Sequence, residues 1–328
     1  EEGIFGTMRH FDEIEGLYDN AKPMIIGSVN SSDWGIICLG EQVDLSVRQG
    51  AVNPADVDEC LEYIKLAAYY NEKLPVRHKF KVRWMFLERI NPSHVVEKHA
   101  HDYVSYVDKE SEVRVVKALT ALLPEAGFIT EEGSATYQDE PYCWVIDPLD
   151  GTTNYIHDEA PYCVSIALRS RTELLLGVVY EVCRDECFYA WKGGKAFMNG
   201  EEIHVSNVED IKDAFVITEL PYNHLQYKQT ALHLIDQLYG VVGGIRMNGS
   251  AAAAICYVAI GRFDAWMEAF LGKWDYSAAA LIVQQAGGKV TNFYGEDNFI
   301  EGHHIIATNG TLHSFFQKLL AEVPPLNM

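Results

Sequence analysis

Two aspartates that follow an apolar run carry the clearest chemistry in this sequence. In WVIDPLDGTT (residues 144–153), Asp147 and Asp150 flank a turn, and Pro148 is expected to end the strand at Asp147. The N–H groups of residues 151–153 then open a predicted helix, where they can bind phosphate. Mg²⁺ favours oxygen ligands shared with a substrate phosphate. The segment therefore predicts a metal-assisted phosphate site, and the alternative is that Asp150 only caps a helix.

Two further acidic elements point to the same chemistry. Glu131 and Glu132 follow the apolar run GFIT (residues 127–130), and Trp274-Asp275 stands at the head of an Ala-rich stretch. Burial of a carboxylate after such a run requires a counter-charge. Each element also has a simpler explanation, since a Glu pair is commonly solvated surface and Asp275 is a good helix N-cap.

These three elements, taken in order, resemble the signature of the inositol monophosphatase family of Mg²⁺-dependent, lithium-sensitive sugar phosphatases. The Glu131-Glu132 pair is followed by Asp-Pro-x-Asp-Gly-Thr at 147–152, then by Trp274-Asp275 and AGG at 286–288. The resemblance covers roughly residues 56–328 and leaves the first 55 without a counterpart. It implies an α+β layered sandwich (αβαβα) of the sugar-phosphatase type with an extra N-terminal segment.

The resemblance also implies two to three Mg²⁺ ions and a role for each ligand. The first ion would bind Glu131, Asp147 and the Leu149 carbonyl. The second would bind Asp147, Asp150 and Asp275, and Glu131 would reach a third through water. Two such ions about 3.5–4 Å apart can activate water and hold the leaving oxygen, so no Cys, Ser or His nucleophile is needed.

The remaining implied roles concern phosphate, water and substrate hydroxyls. Thr152, hydrogen-bonded to Asp108, would orient the attacking water together with Glu131. Phosphate would bind the N–H groups of Gly151 and Thr152. The residues implied for the hydroxyls of the substrate are Asp150, Ser250, Ala251, Asp264 and Glu268.

The substrate implied first is myo-inositol 1-phosphate, because the continuation GTTNY (residues 151–155) resembles inositol monophosphatases proper. Fructose 1,6-bisphosphate or another small phosphate ester is the alternative. Some bacterial members of the family bind transcription machinery, so an interaction protein with incidental catalysis is a second class of function. Residues 1–54 and the basic stretch 77–89 would support it. The intact acidic positions argue against an inactive relative.

The resemblance also implies a homodimer.

The elements that position these residues fall into two halves behind an appended segment. Residues 1–54 are rich in turn formers, residues 55–213 are predicted to carry the metal and phosphate site, and residues 214–328 to complete it. From Cys143 the first half indicates an antiparallel meander. Helices are predicted at 111–122, 227–239, 250–260 and 276–286.

Composition excludes several classes of function. The chain has 328 residues and a formal net charge of −21, which repels nucleic acid. The longest apolar run, residues 251–260, is far shorter than the ~20 residues that span a bilayer. Seven scattered cysteines indicate reduced thiols. With no signal peptide visible, we expect a cytoplasmic protein that acts on a small phosphorylated polyol or sugar, without nucleic acid or membrane partners.

Overall fold

The computed structural model describes residues 95–99, 102–221 and 224–323. The appended segment 1–54 and the basic stretch 77–89 lie outside the described residues. So does the part of the first predicted half that precedes residue 95.

The first half contains a hairpin, a long helix and a seven-stranded sheet. In chain order its elements are β1 (Val95–His99), β2 (Asp102–Ser105), α1 (Tyr106–Leu122), β3 (Gly127–Thr130), β4 (Tyr142–Asp150), α2 (Thr152–Ile156), β5 (Cys163–Ser170), β6 (Leu174–Glu181), β7 (Glu186–Trp191), β8 (Ala196–Met198) and β9 (Glu201–Glu202). β1 pairs with β2, and β3 to β9 form the sheet in sequential order. β3 and β4 are parallel and all later pairs are antiparallel, which confirms the meander.

The second half contains a five-stranded mixed sheet. Its elements are β10 (Phe215–Thr218), α3 (Lys228–Leu238), β11 (Gly244–Arg246), α4 (Ala251–Ala259), β12 (Ala265–Ala269), α5 (Lys273–Gln285), β13 (Lys289–Thr291), β14 (His304–Thr308) and α6 (His313–Ala321). The strand order is β11-β10-β12-β14-β13. β10 is parallel to both of its neighbours, so β10 and β12 end at the same edge of the sheet.

Five layers stack in the order helix, sheet, helix, sheet, helix. The middle layer is α4 and α5, whose buried side chains contact Val145 of the first sheet and Trp266 of the second. α4 is buried on all sides, as expected of a helix that is apolar all round. Helix α1 covers the outer face of the first sheet, and α3 and α6 cover that of the second. The predicted αβαβα sandwich is confirmed.

Several element boundaries differ from the sequence prediction. Helix α1 begins at Tyr106 rather than at residue 111, and α5 begins at Lys273 rather than at residue 276. Strand β4 does not end at Asp147 but continues to Asp150 through a bulge. The division at 213/214 stays a prediction, and the core around α4 and α5 contains side chains from both sides of it.

Two further observations concern the described residues alone. Cys143, Cys163, Cys183, Cys187 and Cys256 all carry free thiols, as the scattered spacing predicts. None of the helices found there combines the length and the apolar character that crossing a bilayer requires.

Candidate active site

Three carboxylates from distant parts of the sequence meet at one point. Asp147, Asp150 and Asp275 each place an oxygen within 4.8 Å of the other two. The β4 bulge contributes to this arrangement, because Asp147 lies opposite Ser165 while Asp150 lies opposite Cys163. Three steps along β4 therefore match two steps along β5, and the extra residue is accommodated around Pro148, which has no N–H to pair.

Asp275 reaches the cluster from the first turn of α5. It is the third residue of the helix and accepts a hydrogen bond from the Gly272 N–H at 2.6 Å, whereas Gly272 is the N-cap. The interpretation of Asp275 as the N-cap is therefore wrong. Ser165 donates to the Trp274 carbonyl at 3.1 Å, and this bond ties the start of α5 to the strand residue opposite Asp147.

Asp150 caps a helix and belongs to the cluster at the same time. Its Oδ2 accepts from the Ser250 hydroxyl at 2.6 Å and the Ala252 N–H at 2.7 Å, and its Oδ1 accepts from the Ala251 N–H at 3.2 Å. The capped helix is α4, a hundred residues away, and not α2, which follows Asp150 directly. A carboxylate has about four lone-pair positions, so Oδ1 keeps one for a further ligand.

The electrostatics of the cluster favour a bound cation. Burial raises the pKa of Asp147 well above its usual range, and the charges of Glu131, Asp150 and Asp275 raise it further. A side-chain hydrogen bond also joins Asp147 to Glu131. Burial raises the pKa of Asp150 as well, although the bonds from Ser250 and Ala252 oppose the shift. Several buried carboxylate oxygens that repel one another are the donor set that Mg²⁺ prefers, so the residues fit the ion.

Glu131 follows β3 and is held by a residue that the sequence analysis missed. Its N–H donates to the Ile146 carbonyl. Glu112 of α1, which is fully buried, accepts from the N–H groups of Glu132 at 2.7 Å and Ser134 at 2.8 Å. A signal was available, because Glu112 follows Asp108 by one helical turn on the face that Val115 and Leu119 continue. Glu112 thus fixes the turn that presents Glu131.

The N-terminus of α2 lies where the sequence predicts a phosphate cradle. Gly151 is the N-cap with φ +90°, and a Cβ there would lie 2.9 Å from the Pro161 carbonyl oxygen, so the close approach requires glycine. The Thr152 hydroxyl lies 2.9 Å from the Asp108 carboxylate and 3.0 Å from the Leu149 carbonyl. The Thr152–Asp108 hydrogen bond implied by the resemblance is present.

Two acids lie where β10 and β12 end at the same edge of the second sheet. Burial raises the pKa of Glu268, and the charges of Glu219, Asp275 and Asp150 add to the shift. Burial also raises the pKa of Glu219 to about 7, against hydrogen bonds from Asn248 and Gly249. Glu219 was not among the residues predicted from the sequence, although an acid directly after a parallel strand is a recognisable signal.

Three residues assigned to substrate hydroxyls are engaged within the protein. The carboxylate of Asp264 accepts from the Ser206 hydroxyl and from the Phe215 N–H at 2.6 Å. Asp264 directly precedes β12, and Glu268 lies four residues further along this strand. At a rise of about 3.3 Å per residue, the two residues are about 13 Å apart. The structure does not bring Asp264 to the cluster. Ser250 and Ala251 do lie there, but they donate to Asp150.

The fold and the acidic cluster fit a member of a phosphatase superfamily, and comparisons with known proteins agree. The model of the inositol monophosphatase family matches residues 73–324. Nus factor SuhB of Pseudomonas aeruginosa is 38% identical over 244 residues, which are 73% of this chain and 89% of that relative. The chain belongs to the inositol monophosphatase family.

Solved structures give the same result. The extragenic suppressor protein suhB from Bartonella henselae superimposes with a TM-score of 0.68 at 33% identity, covering 75% of this chain and 93% of that one. Inositol monophosphatase from Anabaena superimposes with a TM-score of 0.63 at 34% identity, covering 67% and 87%. Both similarities extend over most of the described residues.

Proposed function

We propose that this chain is a Mg²⁺-dependent phosphate monoester hydrolase that converts myo-inositol 1-phosphate to myo-inositol and phosphate. The observation that carries the proposal is the meeting of Asp147, Asp150 and Asp275 beside the N-terminus of α2. A cluster of buried acids needs cations, and a free helix N-terminus attracts an anion. Family membership and the similarity to Anabaena inositol monophosphatase support the same chemistry.

The protein's own residues would prepare the ester for attack. Glu131, Asp147 and the Leu149 carbonyl would hold one ion, and Asp147 with Asp150 and Asp275 would hold a second. Bound Mg²⁺ supplies positive charge beside the phosphate and lowers the pKa of a bound water. The N–H groups of Gly151 and Thr152 would hold the phosphate oxygens, and Glu268 would accept a hydrogen bond from a substrate hydroxyl.

Thr152 would orient the attacking water. Its hydroxyl proton is engaged by Asp108 and the Leu149 carbonyl, so a lone pair of Oγ1 remains to accept a hydrogen bond from water. Asp108 fixes the direction of that lone pair because it is buried in α1 and cannot follow solvent. Glu131, which is hydrogen-bonded to Asp147, would serve as a second acceptor for the water.

Removal of the Thr152 hydroxyl is expected to lower kcat. Thr152→Val keeps the shape of the side chain but leaves Asp108 and water without the hydroxyl, and we expect a loss of about 10²-fold. Thr152→Ser keeps the hydroxyl and should stay within about fivefold of the wild type. Steady-state phosphate release with matched Tm values measures both variants. Equal activity of the two variants would contradict the role given to Oγ1.

A panel of esters tests the substrate. Phosphate release with Mg²⁺ is measured from inositol 1-phosphate, fructose 1,6-bisphosphate and adenosine 3′,5′-bisphosphate, with Asp275→Asn as the inactive control. We expect the highest kcat/KM with inositol 1-phosphate. Preference for another ester would support the hydrolase activity but show that the substrate is not inositol 1-phosphate. Absence of phosphate release from all three esters would overturn the proposed activity.

The relatives named Nus factor SuhB favour a second candidate, an interaction role for this chain. The two functions are separable, because an interaction role does not require the carboxylate cluster. Asp275→Asn should then abolish phosphate release and leave binding to the transcription machinery unchanged. The proposed homodimer is a further point to measure, by gel filtration with light scattering.

A further inference from the structure

The loop before α4 is held from two sides by partly buried hydrogen bonds. Residues 247–249 connect β11 to α4, and we call them the 247–249 loop. The two oxygens of Glu219 accept from the N–H groups of Asn248 at 2.9 Å and Gly249 at 3.2 Å. From the other side, Asn154 Nδ2 donates to the Asn248 carbonyl at 2.7 Å and to the Pro161 carbonyl at 2.8 Å.

The fit between the 247–249 loop and Asn154 is close. Gly249 has φ +73°, and a Cβ there would lie 2.8 Å from Asn154 Oδ1. The loop therefore has no room to move toward α2. On its other side, Glu219 has only 6% of its surface exposed and presents both carboxylate oxygens to the loop.

The loop leads directly into the donors that hold Asp150. Ser250, Ala251 and Ala252 follow Gly249, and all three donate to the Asp150 carboxylate. Glu219 and Asn154 do not bond to Asp150 themselves. A displacement of the loop would move these donors and change the direction in which Asp150 presents its remaining lone pair.

We propose that Glu219 and Asn154 are positioning residues that set metal affinity at the Asp150–Asp275 end of the cluster by fixing the 247–249 loop. The inference rests on the proposed function for the metal, while its geometry is independent of the substrate. Neither residue is a metal ligand. Their effect should be confined to the ion that Asp150 holds, and the ion held by Glu131, Asp147 and Leu149 should bind normally.

A carboxylate is the side chain that suits the position of Glu219. Both of its oxygens accept, and each faces one backbone N–H. In Glu219→Gln one oxygen becomes an NH₂ group, so that a donor faces a backbone N–H donor. The variant keeps the size of the side chain and loses one of the two contacts with the loop.

Mn²⁺ binding to the full chain without substrate tests the proposal by isothermal titration calorimetry. Glu219→Gln and Asn154→Ala should each raise the Kd of one class of Mn²⁺ about tenfold and leave the other class unchanged. Turnover at low Mg²⁺ should fall and recover at high Mg²⁺. Glu209→Gln, an exposed Glu→Gln change, is the matched control and should behave as the wild type.

Two results would overturn the proposal. The first is unchanged Mn²⁺ binding by either folded variant. The second is an equal loss of affinity for both classes of Mn²⁺ together with a lower Tm in EDTA, because that indicates a general structural role. If Glu219→Gln does not fold, the half-buried Asn154→Ala decides alone. If the variants shift the Kd of one Mn²⁺ class but the wild type releases no phosphate, the proposed hydrolase activity is wrong and the positioning role of Glu219 and Asn154 still holds. Absence of Mn²⁺ binding by the wild type would overturn both the proposed function and the positioning role.

Discussion

Asp275→Asn is expected to lower phosphate release at saturating Mg²⁺ by about 10³-fold while the fold is retained. Asp275 accepts the Gly272 N–H at 2.6 Å, and the amide oxygen of Asn can accept that bond in the same way. The start of α5 therefore keeps its cap. What disappears is the negative charge that faces Asp147 and Asp150, and with it an anionic oxygen for the second ion.

The control for this variant is the same change at an exposed position. Asp236→Asn on the outer side of α3 removes one charge from the chain without touching the cluster. Its turnover and Tm should match those of the wild type. Near-native turnover of Asp275→Asn with Mg²⁺ would show that the metal assignment is wrong, because no other described residue takes over the same position in the cluster.

Asp147→Asn is expected to stabilise the metal-free protein and to abolish its stabilisation by Mg²⁺. The amide oxygen can accept the Leu149 N–H, as Asp147 Oδ1 does at 2.9 Å, and the NH₂ group can donate to Glu131. Substitution thus removes a buried charge that burial and three neighbouring acids oppose. We expect about 2 kcal/mol, or roughly 6 °C in Tm, in EDTA at pH 7.5.

The pH dependence of this gain has a defined sign. The pKa of Asp147 is raised in the folded state, so its protonated form favours folding, and that stability is lost as pH rises. The advantage of Asp147→Asn should therefore shrink as pH falls toward 4, because Asp147 stays protonated in the folded state and approaches its ordinary pKa of 3.8 in the unfolded state. With Mg²⁺ at pH 7.5 the order should invert, because only the wild type binds the ion. Equal Tm values in EDTA across the pH range would contradict the described electrostatics.

The local parts of the site were predictable from the sequence, because each is a short motif with its own chemistry. Residues 147–152 combine an apolar strand, two acids and a helix start, and Asp275 stands in the first turn of a helix. The layered fold followed from the family resemblance and from the alternation of strands and helices. These features depend on neighbours along the chain, which a sequence displays directly.

The contacts between distant segments were not predictable from one sequence. Glu219 and Glu112 each hold backbone N–H groups more than 19 residues away, and such pairs are set by packing of the layers. The bulge in β4 depends on the register with β5. The family resemblance assigned Asp264 to the substrate together with Glu268, whereas the extended strand β12 places the two residues about 13 Å apart.

A crystal structure of the full chain grown with Mn²⁺ and inorganic phosphate tests the central claim most directly. The account predicts an anomalous difference peak at ligand distance from Asp147, Asp150 and Asp275, with phosphate on the N–H groups of Gly151 and Thr152. A structure in which the three carboxylates bind no ion, or in which ion and phosphate bind elsewhere, would contradict the assignment of this cluster as the active site.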